Sequence, residues 1–526
     1  MTVPYCLAFP IVFLNVTCAL ATDLVSVQFN VSDLDERPLP CRVHLKNEEG
    51  EIQIAVGQPF WNDHFVCSGQ VTVSVKPGKY TWEIERGPEY QRASGDFTVT
   101  EKSPGMVEVR LLRMTSLREE GWYSGDLHVH RPVDQIERLM RAEDLDFAPV
   151  ITWWNKPAGN AAPVPQTEFP FDGGRRYTIM AGEDEREGGA LLYFGLRQPL
   201  DLTVKSREFP SPMRFVTDAR RRDSRVWIDI EKPFWRDVPC WLASGKMNSI
   251  GLANNHMCRN RMYESEAWGR SRDVARLPNP VGNGYWTQEI YYHILNSGIR
   301  IPPSAGSASG VLPNPVGYNR VYVQLGHTEL TRDAWFKGLS GGRCFVTNGP
   351  LLRVKANGRF PGRVLKLHAG ESLKVNLDIT LTSSDPVPAV EIIHNGGLIQ
   401  RIECTEQRKQ VLSTTLTLDE PGWLIVRAIT DVDSTFRFAS TAPWYIESAA
   451  MPHRISRASA RFFLDWVDER IERIRRDVTD ADQLRAVLDP HQNARIFWQN
   501  RVRMANADLN TDTVYRIEAT SVRRRE

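Results

Sequence analysis

Asp126, His128 and His130 alternate with Leu127 and Val129 inside the segment Gly121-Trp-Tyr-Ser-Gly-Asp-Leu-His-Val-His-Arg131. In an extended strand, residues two apart project from one face. This spacing therefore puts a carboxylate and two imidazoles on one side and two aliphatic groups on the other. Carboxylates and neutral imidazoles suit zinc, iron, manganese and related ions. The triplet alone leaves two readings open: a platform for a divalent metal, or two satisfied polar histidines at a strand end.

The flanking residues favour the metal. After Arg131-Pro132, Val133, Ile136, Leu139 and Met140 recur at helical spacing, and an apolar run from Phe147 to Trp153 follows. That is a strand-helix-strand pattern with proline near the helix start. Ligands at the carboxyl end of a parallel strand lie where α/β barrels place their active sites.

The elements that must position these groups exceed one ordinary domain, since the chain has 526 residues. With 41% hydrophobic and 25% charged residues it has a soluble globular composition. A formal net charge of +1, with no sustained basic run beyond short triplets such as Arg523-Arg524-Arg525, argues against nucleic acid as a partner. Tyr5 to Leu20 is largely apolar and Ala19-Leu20-Ala21 offers small residues to a signal peptidase, so residues 1–21 read as a signal peptide and the protein as exported. No lysine or arginine precedes that run, and a buried strand or membrane anchor is the alternative. No other stretch is long and apolar enough to span a membrane, so no integral membrane segment is expected after signal removal. Cys41, Cys67, Cys240, Cys258, Cys344 and Cys404 then remain. Cys41 and Cys67 fall in one β module and could pair in an oxidising compartment; none forms a close pair of the zinc-ribbon type.

Residues 22–113 read as a β-sandwich, with alternation in Val25–Val31 and Val71–Val75 and a turn at Pro77-Gly78. Residues 114–349 alternate strand-like and helix-like segments. Candidate strands are Tyr177–Ala181, Leu191–Gly195, Val226–Ile230, Ser249–Ala253 and Arg320–Gln324, and Trp286–Asn296 is a candidate helix stopped by Gly298. Such alternation predicts a parallel sheet or barrel. Residues 350–447 return to β, with turn signals at Asn357-Gly358, Asn395-Gly396 and Pro421-Gly422. Residues 448–526 read as a helical tail whose stripe of Phe463, Trp466, Val467 and Ile474 predicts a packing face.

These segments resemble a known family. Gly125-Asp-Leu-His-Val-His-Arg131 is similar to the first motif of the PHP (polymerase and histidinol phosphatase) superfamily, and more narrowly of its CehA/McbA branch, named for carbaryl hydrolase and an amide-bond-associated protein. Ala181-Gly-Glu-Asp184, Ala253-Asn-Asn-His-Met257, Pro302-Pro-Ser-Ala-Gly306, Pro315-Val-Gly-Tyr-Asn-Arg-Val-Tyr322 and Arg343-Cys-Phe-Val-Thr-Asn-Gly-Pro350 resemble later stretches of that branch. The resemblance covers residues 121–350. It implies an α/β fold: a PHP-like distorted seven-stranded β/α barrel, flanked here by two β-sandwich modules and followed by the helical segment. His128 and His130 match the family's first two metal ligands, and Glu183 its bridging glutamate. Elsewhere the chain departs from the family. Trp154-Asn155 stands where an Asp-His pair is usual, Lys232-Pro233 where a His-Pro is, and Gly306-Ser307-Ala308 where a Gly-Thr-Asp is. A three-metal cluster cannot be assembled from what remains.

The expectation is thus a reduced site for one or two divalent ions (zinc, manganese or iron), with His128, His130 and Glu183 as metal ligands. Asp229, Lys232 and His256 are the candidate catalytic groups. A catalytic metal commonly needs three protein ligands and an open position for water. Asp126, Trp153, Trp154, Asn155, Asn255 and Ser307 are expected around the pocket, with Trp122, Tyr123, Trp227 and Trp235 as further aromatics that either line it or pack the barrel. The function expected is hydrolysis of an ester, amide or phosphoester bond in a small-molecule or saccharide-like substrate. The alternative is a non-catalytic binding or surface protein on a barrel that has lost its metal cluster, with Lys232 paired to Glu183 or Asp229 in place of the ion.

Overall fold

Alternation builds the amino-terminal module. In Gln70–Val75, Val71, Val73 and Val75 are buried while Gln70, Thr72 and Ser74 face solvent. This strand, Val25–Ser32 and Met106–Arg110 form one sheet. The second sheet runs Phe60–Trp61, His64–Cys67, Cys41–Asn47, Gly78–Glu85, Ala93–Val99 in spatial order. Phe29, Val43, Phe65, Val73 and Ile84 fill the space between them. The computed structural model describes residues 24–101, 105–156, 162–449, 451 and 453–507; the expected signal peptide at 1–21 lies outside them.

The strands that carry the chemistry close on themselves. Phe147–Trp154, Arg175–Arg186, Gly189–Phe194, Trp227–Ile230, Ser249–Ala253 and Pro303–Ala305 pair in that order. Residues 126–130 bridge the two ends. Asp126 N donates to Phe147 O (3.2 Å), Ile151 N to Val129 O (2.8 Å), Leu127 N to Ala305 O (3.0 Å) and His130 N to Ser309 O (2.8 Å). Two expectations need correction. The regular strand ends at Gly125, and residues 126–130 form an irregular extended bridge. Nor is the ring parallel throughout. The two-residue turn Glu187-Gly188 makes Arg175–Arg186 and Gly189–Phe194 an antiparallel hairpin, and Trp227–Ile230 also runs antiparallel to its neighbour Gly189–Phe194. The fold is mixed α/β and sheet-rich, with Ile136–Ala142, Pro212–Arg222, Gly282–Asn296 and Arg332–Ser340 among its helices.

The sheet does not stop at the boundary expected near residue 349. Trp122–Gly125 pairs with Arg320–Gln324, which pairs with Cys344–Thr347, and that strand pairs with Phe438–Thr441 of the carboxyl-terminal β module. Gly422–Ile429 and Ala389–His394 extend the same sheet. Facing it, Leu351–Ala356, Leu373–Thr382 and Lys409–Leu418 form the module's second sheet. Leu377, Ile379, Ile392, Val426 and Trp444 are buried together in the module's core.

Two helices, Arg457–Asp477 and Ala481–Arg503, complete the described chain. Phe463, Trp466, Val467 and Ile474 are buried in the same core as Trp241 and Leu242 of the central region. Trp498 Nε1 donates to Pro239 O (3.0 Å), and Arg470 meets Asp237 (2.7 Å) and Glu208. No helix among the described residues is long and apolar enough to cross a membrane.

Candidate metal centre

Residues 126–130 deliver both imidazoles to one point because Asp126 fixes the backbone beneath them. Its carboxylate accepts from His128 N (3.0 Å), Ser307 N (3.0 Å) and Gly317 N (2.7 Å). Asp126 therefore clasps three loops and does not line the cleft, which corrects its expected place among the pocket residues. Leu127 and Val129 are fully buried on the other side. Gly306 completes the support, since a Cβ there would stand 2.5 Å from His128 Cβ.

His128 Nε2 and His130 Nε2 are 3.0 Å apart, and Glu183 Oε2 lies 3.1 Å from His130 Nε2 and 3.4 Å from His128 Nε2. Tetrahedral zinc at about 2.0–2.1 Å from each ligand would set such atoms about 3.3 Å apart. The three donors thus fit a metal ion with small side-chain rotations. Buried Glu183 Oε2, His128 Nδ1 and Glu231 Oε1 are held through ion pairs with one another and with His128 Nε2 and His130 Nε2, and His256 Nδ1 has no hydrogen-bond partner among the described residues. Buried charged groups are ordinarily paired, and here the pairing leaves two carboxylates and two imidazoles around one cleft.

Glu231, which the sequence reading passed over, anchors the opposite wall. Its Oε1 stands 3.4 Å from His128 Nδ1, and its Oε2 takes Lys232 Nζ and Trp235 Nε1 (2.9 Å). Lys232 Nζ also lies 4.3 Å from the centre of the Trp235 ring. The lysine is in the cleft as expected, but its partner is Glu231 and not Glu183 or Asp229. Burial opposes charge on His128, but Glu183 and then Glu231 outweigh it and the pKa rises to about 10. Burial likewise opposes ionisation of both carboxyls. His128 and His130 still hold Glu183 well below the usual range, and Lys232 with His128 brings Glu231 to about 2.

The other expected site residues divide between the cleft and the core. Asp229 lies under the floor, where Ser249 Oγ and Ser304 Oγ (2.5 Å) donate to it; burial lifts it to about 7, and it does not line the cleft. His256 does line it, against Phe234 and Tyr263 at 5.5 and 5.3 Å between ring centres, and burial followed by the Lys232 charge lowers it to about 3. His256 stays outside the three-donor group. The Trp154 ring lies tilted against His130, 4.8 Å between ring centres, and its indole N–H donates to Glu185 Oε2 (3.1 Å). Trp153, by contrast, is core: its indole donates to Met180 O (3.2 Å) and its ring occupies the space where a Cβ on Gly182 would be. Asn155, in the left-handed region at φ 47°, accepts from Glu185 N (2.8 Å), so it shapes the loop and does not face the cleft. Ser307 is locked to the Asn319 backbone, its Oγ accepting from N at 3.0 Å. Asn255 lines the cleft. Of the further aromatics, Trp235 is on the wall, whereas Trp122 and Trp227 are packed in hydrophobic clusters.

Glu185 is the second group the sequence reading missed. It is half-buried on the cleft wall, and burial with the Glu183 charge lifts it to about 7 against the pull of Lys232. The cleft has a volume of about 110 Å³, and Trp268, Val311 and Leu312 stand with these groups around it. The signals for both glutamates were local. Glu185 follows Glu183 at strand spacing, and Glu231 follows Asp229 in the same way.

A second His/Asp group, His44, Asp63 and His64, does not suit a metal. Arg42 Nε donates to His44 Nε2 (3.0 Å), which puts the His44 proton on Nδ1, facing Asp63 Oδ2 at 3.3 Å. His64 Nδ1 meets Asp63 Oδ1 at 3.0 Å. Asp63 is thereby satisfied by two imidazole N–H groups, and no nitrogen lone pair points inward.

No protein-family model matches this chain, and no curated protein does. Among solved structures, the chain aligns with a cycloisomaltooligosaccharide glucanotransferase of Paenibacillus sp. complexed with cycloisomaltoheptaose, at 10% identity over 81% of this chain and 68% of that one. The TM-score of that alignment is 0.12, too low to carry an argument about fold or chemistry.

Proposed function

We propose that the chain is an exported, PHP-type metal-dependent hydrolase with a reduced site, acting on an ester, amide or phosphoester bond of a small molecule. The observation that supports this most is the convergence of His128 Nε2, His130 Nε2 and Glu183 Oε2 at 3.0–3.4 Å on one cleft wall. These three residues would hold the ion, which when bound lowers the pKa of its water toward neutrality and polarises the bond to be cleaved. The surrounding side chains do the rest. Lys232, aimed by Glu231 and Trp235, presents a positive charge to an oxygen that becomes negative. Glu185, on the cleft wall beside Glu183, is placed to accept and return a proton. Trp154, Trp235 and Leu312 limit water and favour a substrate with an apolar face.

A second reading is favoured by one observation. Protonated His128 and Lys232 balance Glu183 and Glu231 without any ion. A binding protein on a barrel that has lost its metal would look like this. Metal content separates the two. Protein purified without chelator or immobilised nickel should carry about one equivalent of zinc, manganese or iron by plasma mass spectrometry. His128→Ala and His130→Ala should each lose it along with esterase or phosphoesterase activity. A folded wild type that takes up no added metal would overturn the hydrolase reading.

A further inference from the structure

Cys41 opens the strand Cys41–Asn47, Cys67 closes His64–Cys67, and the antiparallel register sets them directly opposite each other. Directly opposed residues in such a pair have Cα atoms about 4.5–5.5 Å apart, inside the roughly 4.4–6.8 Å that a disulfide spans. The two Sγ atoms are 3.6 Å apart, and both side chains are buried. The other thiols with a described contact each meet a backbone carbonyl instead: Cys258 that of Asn255, Cys344 that of Pro303 and Cys404 that of Ile402. We propose that Cys41 and Cys67 form a disulfide that fastens the edge hairpin Phe60–Trp61/His64–Cys67 to the body of the amino-terminal module.

The oxidant is an external disulfide, either glutathione disulfide or the disulfide of a protein oxidant. The Cys67 thiolate attacks one of its sulfurs, forming a mixed disulfide and releasing one thiolate. The Cys41 thiolate then attacks Cys67 Sγ, closing the bond and expelling the second. The two thiol protons end on the two released thiolates, and the two electrons leave the pair with them. The same balance holds with the two cysteines exchanged, since either sulfur can be the donor in their contact. Because both sulfurs are buried, exchange requires either the unfolded chain or opening of the edge hairpin, which has the two-residue strand Phe60–Trp61 as its outer member.

The hairpin reaches the cleft. Trp61 Nε1 donates to Leu312 O (2.7 Å), and Arg131, next to His130, donates to Phe60 O (3.0 Å). The disulfide therefore braces a contact on the rim of the histidine site, whatever chemistry that site performs.

The test equilibrates the full chain in glutathione buffers of graded ratio, in one arm folded and in the other refolding from urea. Acid quench, denaturation, alkylation and peptide mass spectrometry follow. A peptide pair linked through Cys41 and Cys67, two hydrogens lighter than the reduced peptides and split by reductant, is expected in at least the refolding arm. Alkylation of both cysteines in both arms at the oxidising end, or linkage of either to a different cysteine, overturns the proposal. The urea midpoint of the oxidised wild type should fall on reduction, while that of a Cys41→Ala/Cys67→Ala variant should not move. A wild-type midpoint indifferent to reductant overturns the fastening role.

Discussion

His128 meets a carboxylate through each ring nitrogen, Glu183 on Nε2 and Glu231 on Nδ1, and this double pairing gives the metal-free site its own pH dependence. A histidine whose folded pKa is raised from about 6.5 to about 10 stabilises the fold fully below the lower value. It loses that contribution as pH rises through the upper one. The metal-free protein should therefore melt at a lower temperature at pH 10 than at pH 6.5, and more steeply so than His128→Gln. Calorimetry at both values in a chelator checks this, and identical slopes for the two proteins would count against the pairing. Metal must displace the same proton, so affinity should rise with pH over that window. Gly306 offers a test of position without touching a ligand. Because an added Cβ would press on His128 Cβ, Gly306→Ala should weaken zinc binding on the order of tenfold, the usual effect of disturbing a ligand's support. Competition titration would show it, and unchanged affinity would mean that His128 does not depend on that contact. At this scale the His-x-His spacing was legible in the chain because alternation survives in any extended backbone. Asp126 misled for the same reason. Spacing put it with the histidines, but the amides of Ser307 and Gly317 claim it from far along the chain.

The helical hairpin shows the same division among elements. The spacing of Phe463, Trp466, Val467 and Ile474 marked a packing face, and each is buried. Its partners were not readable, because Trp241 and Pro239 belong to a short helix more than two hundred residues earlier. Asp480 caps the second helix, its Oδ1 accepting from Asp482 N (3.1 Å) and Gln483 N (2.9 Å). Asp480→Ala should cost about 1 kcal/mol, and Trp498→Ala, which empties a fully buried indole site, about 3–5 kcal/mol. Urea unfolding of the two variants should rank them in that order. The ring strand Ser249–Ala253 and the neighbouring strand Arg320–Gln324 match their sequence-based limits to the residue, since short apolar runs bounded by breakers leave little freedom. The direction of Gly189–Phe194 was misjudged because a two-residue turn, and not a helix, joins it to the strand before.

Over the whole molecule, one hydrophobic cluster runs from the ring through Trp423 and Phe438 to Phe463 and Trp498, while the amino-terminal module has a core of its own. Deleting residues 457–507 should therefore leave no soluble folded protein, because it strips one wall from that shared core. A truncated chain that is monomeric, gives a native circular-dichroism spectrum and binds metal would refute this. The amino-terminal module is joined differently, by buried ion pairs such as Arg42 with Glu143 and Arg86 with Asp144, and by the Trp61 contact to Leu312. The sequence by itself determined what local spacing and composition control: the sheet-rich modules, the amphipathic tail, and two histidines delivered together from residues 126–130. Only the tertiary structure decided which groups join them. Glu183 arrives from one strand of the ring and Glu231 with Lys232 from the end of another, while Asp229, Trp153 and Ser307 are drawn away from the cleft. Whether a buried polar side chain faces a cleft or a backbone amide depends on neighbours remote in sequence, and local periodicity carries no information about them.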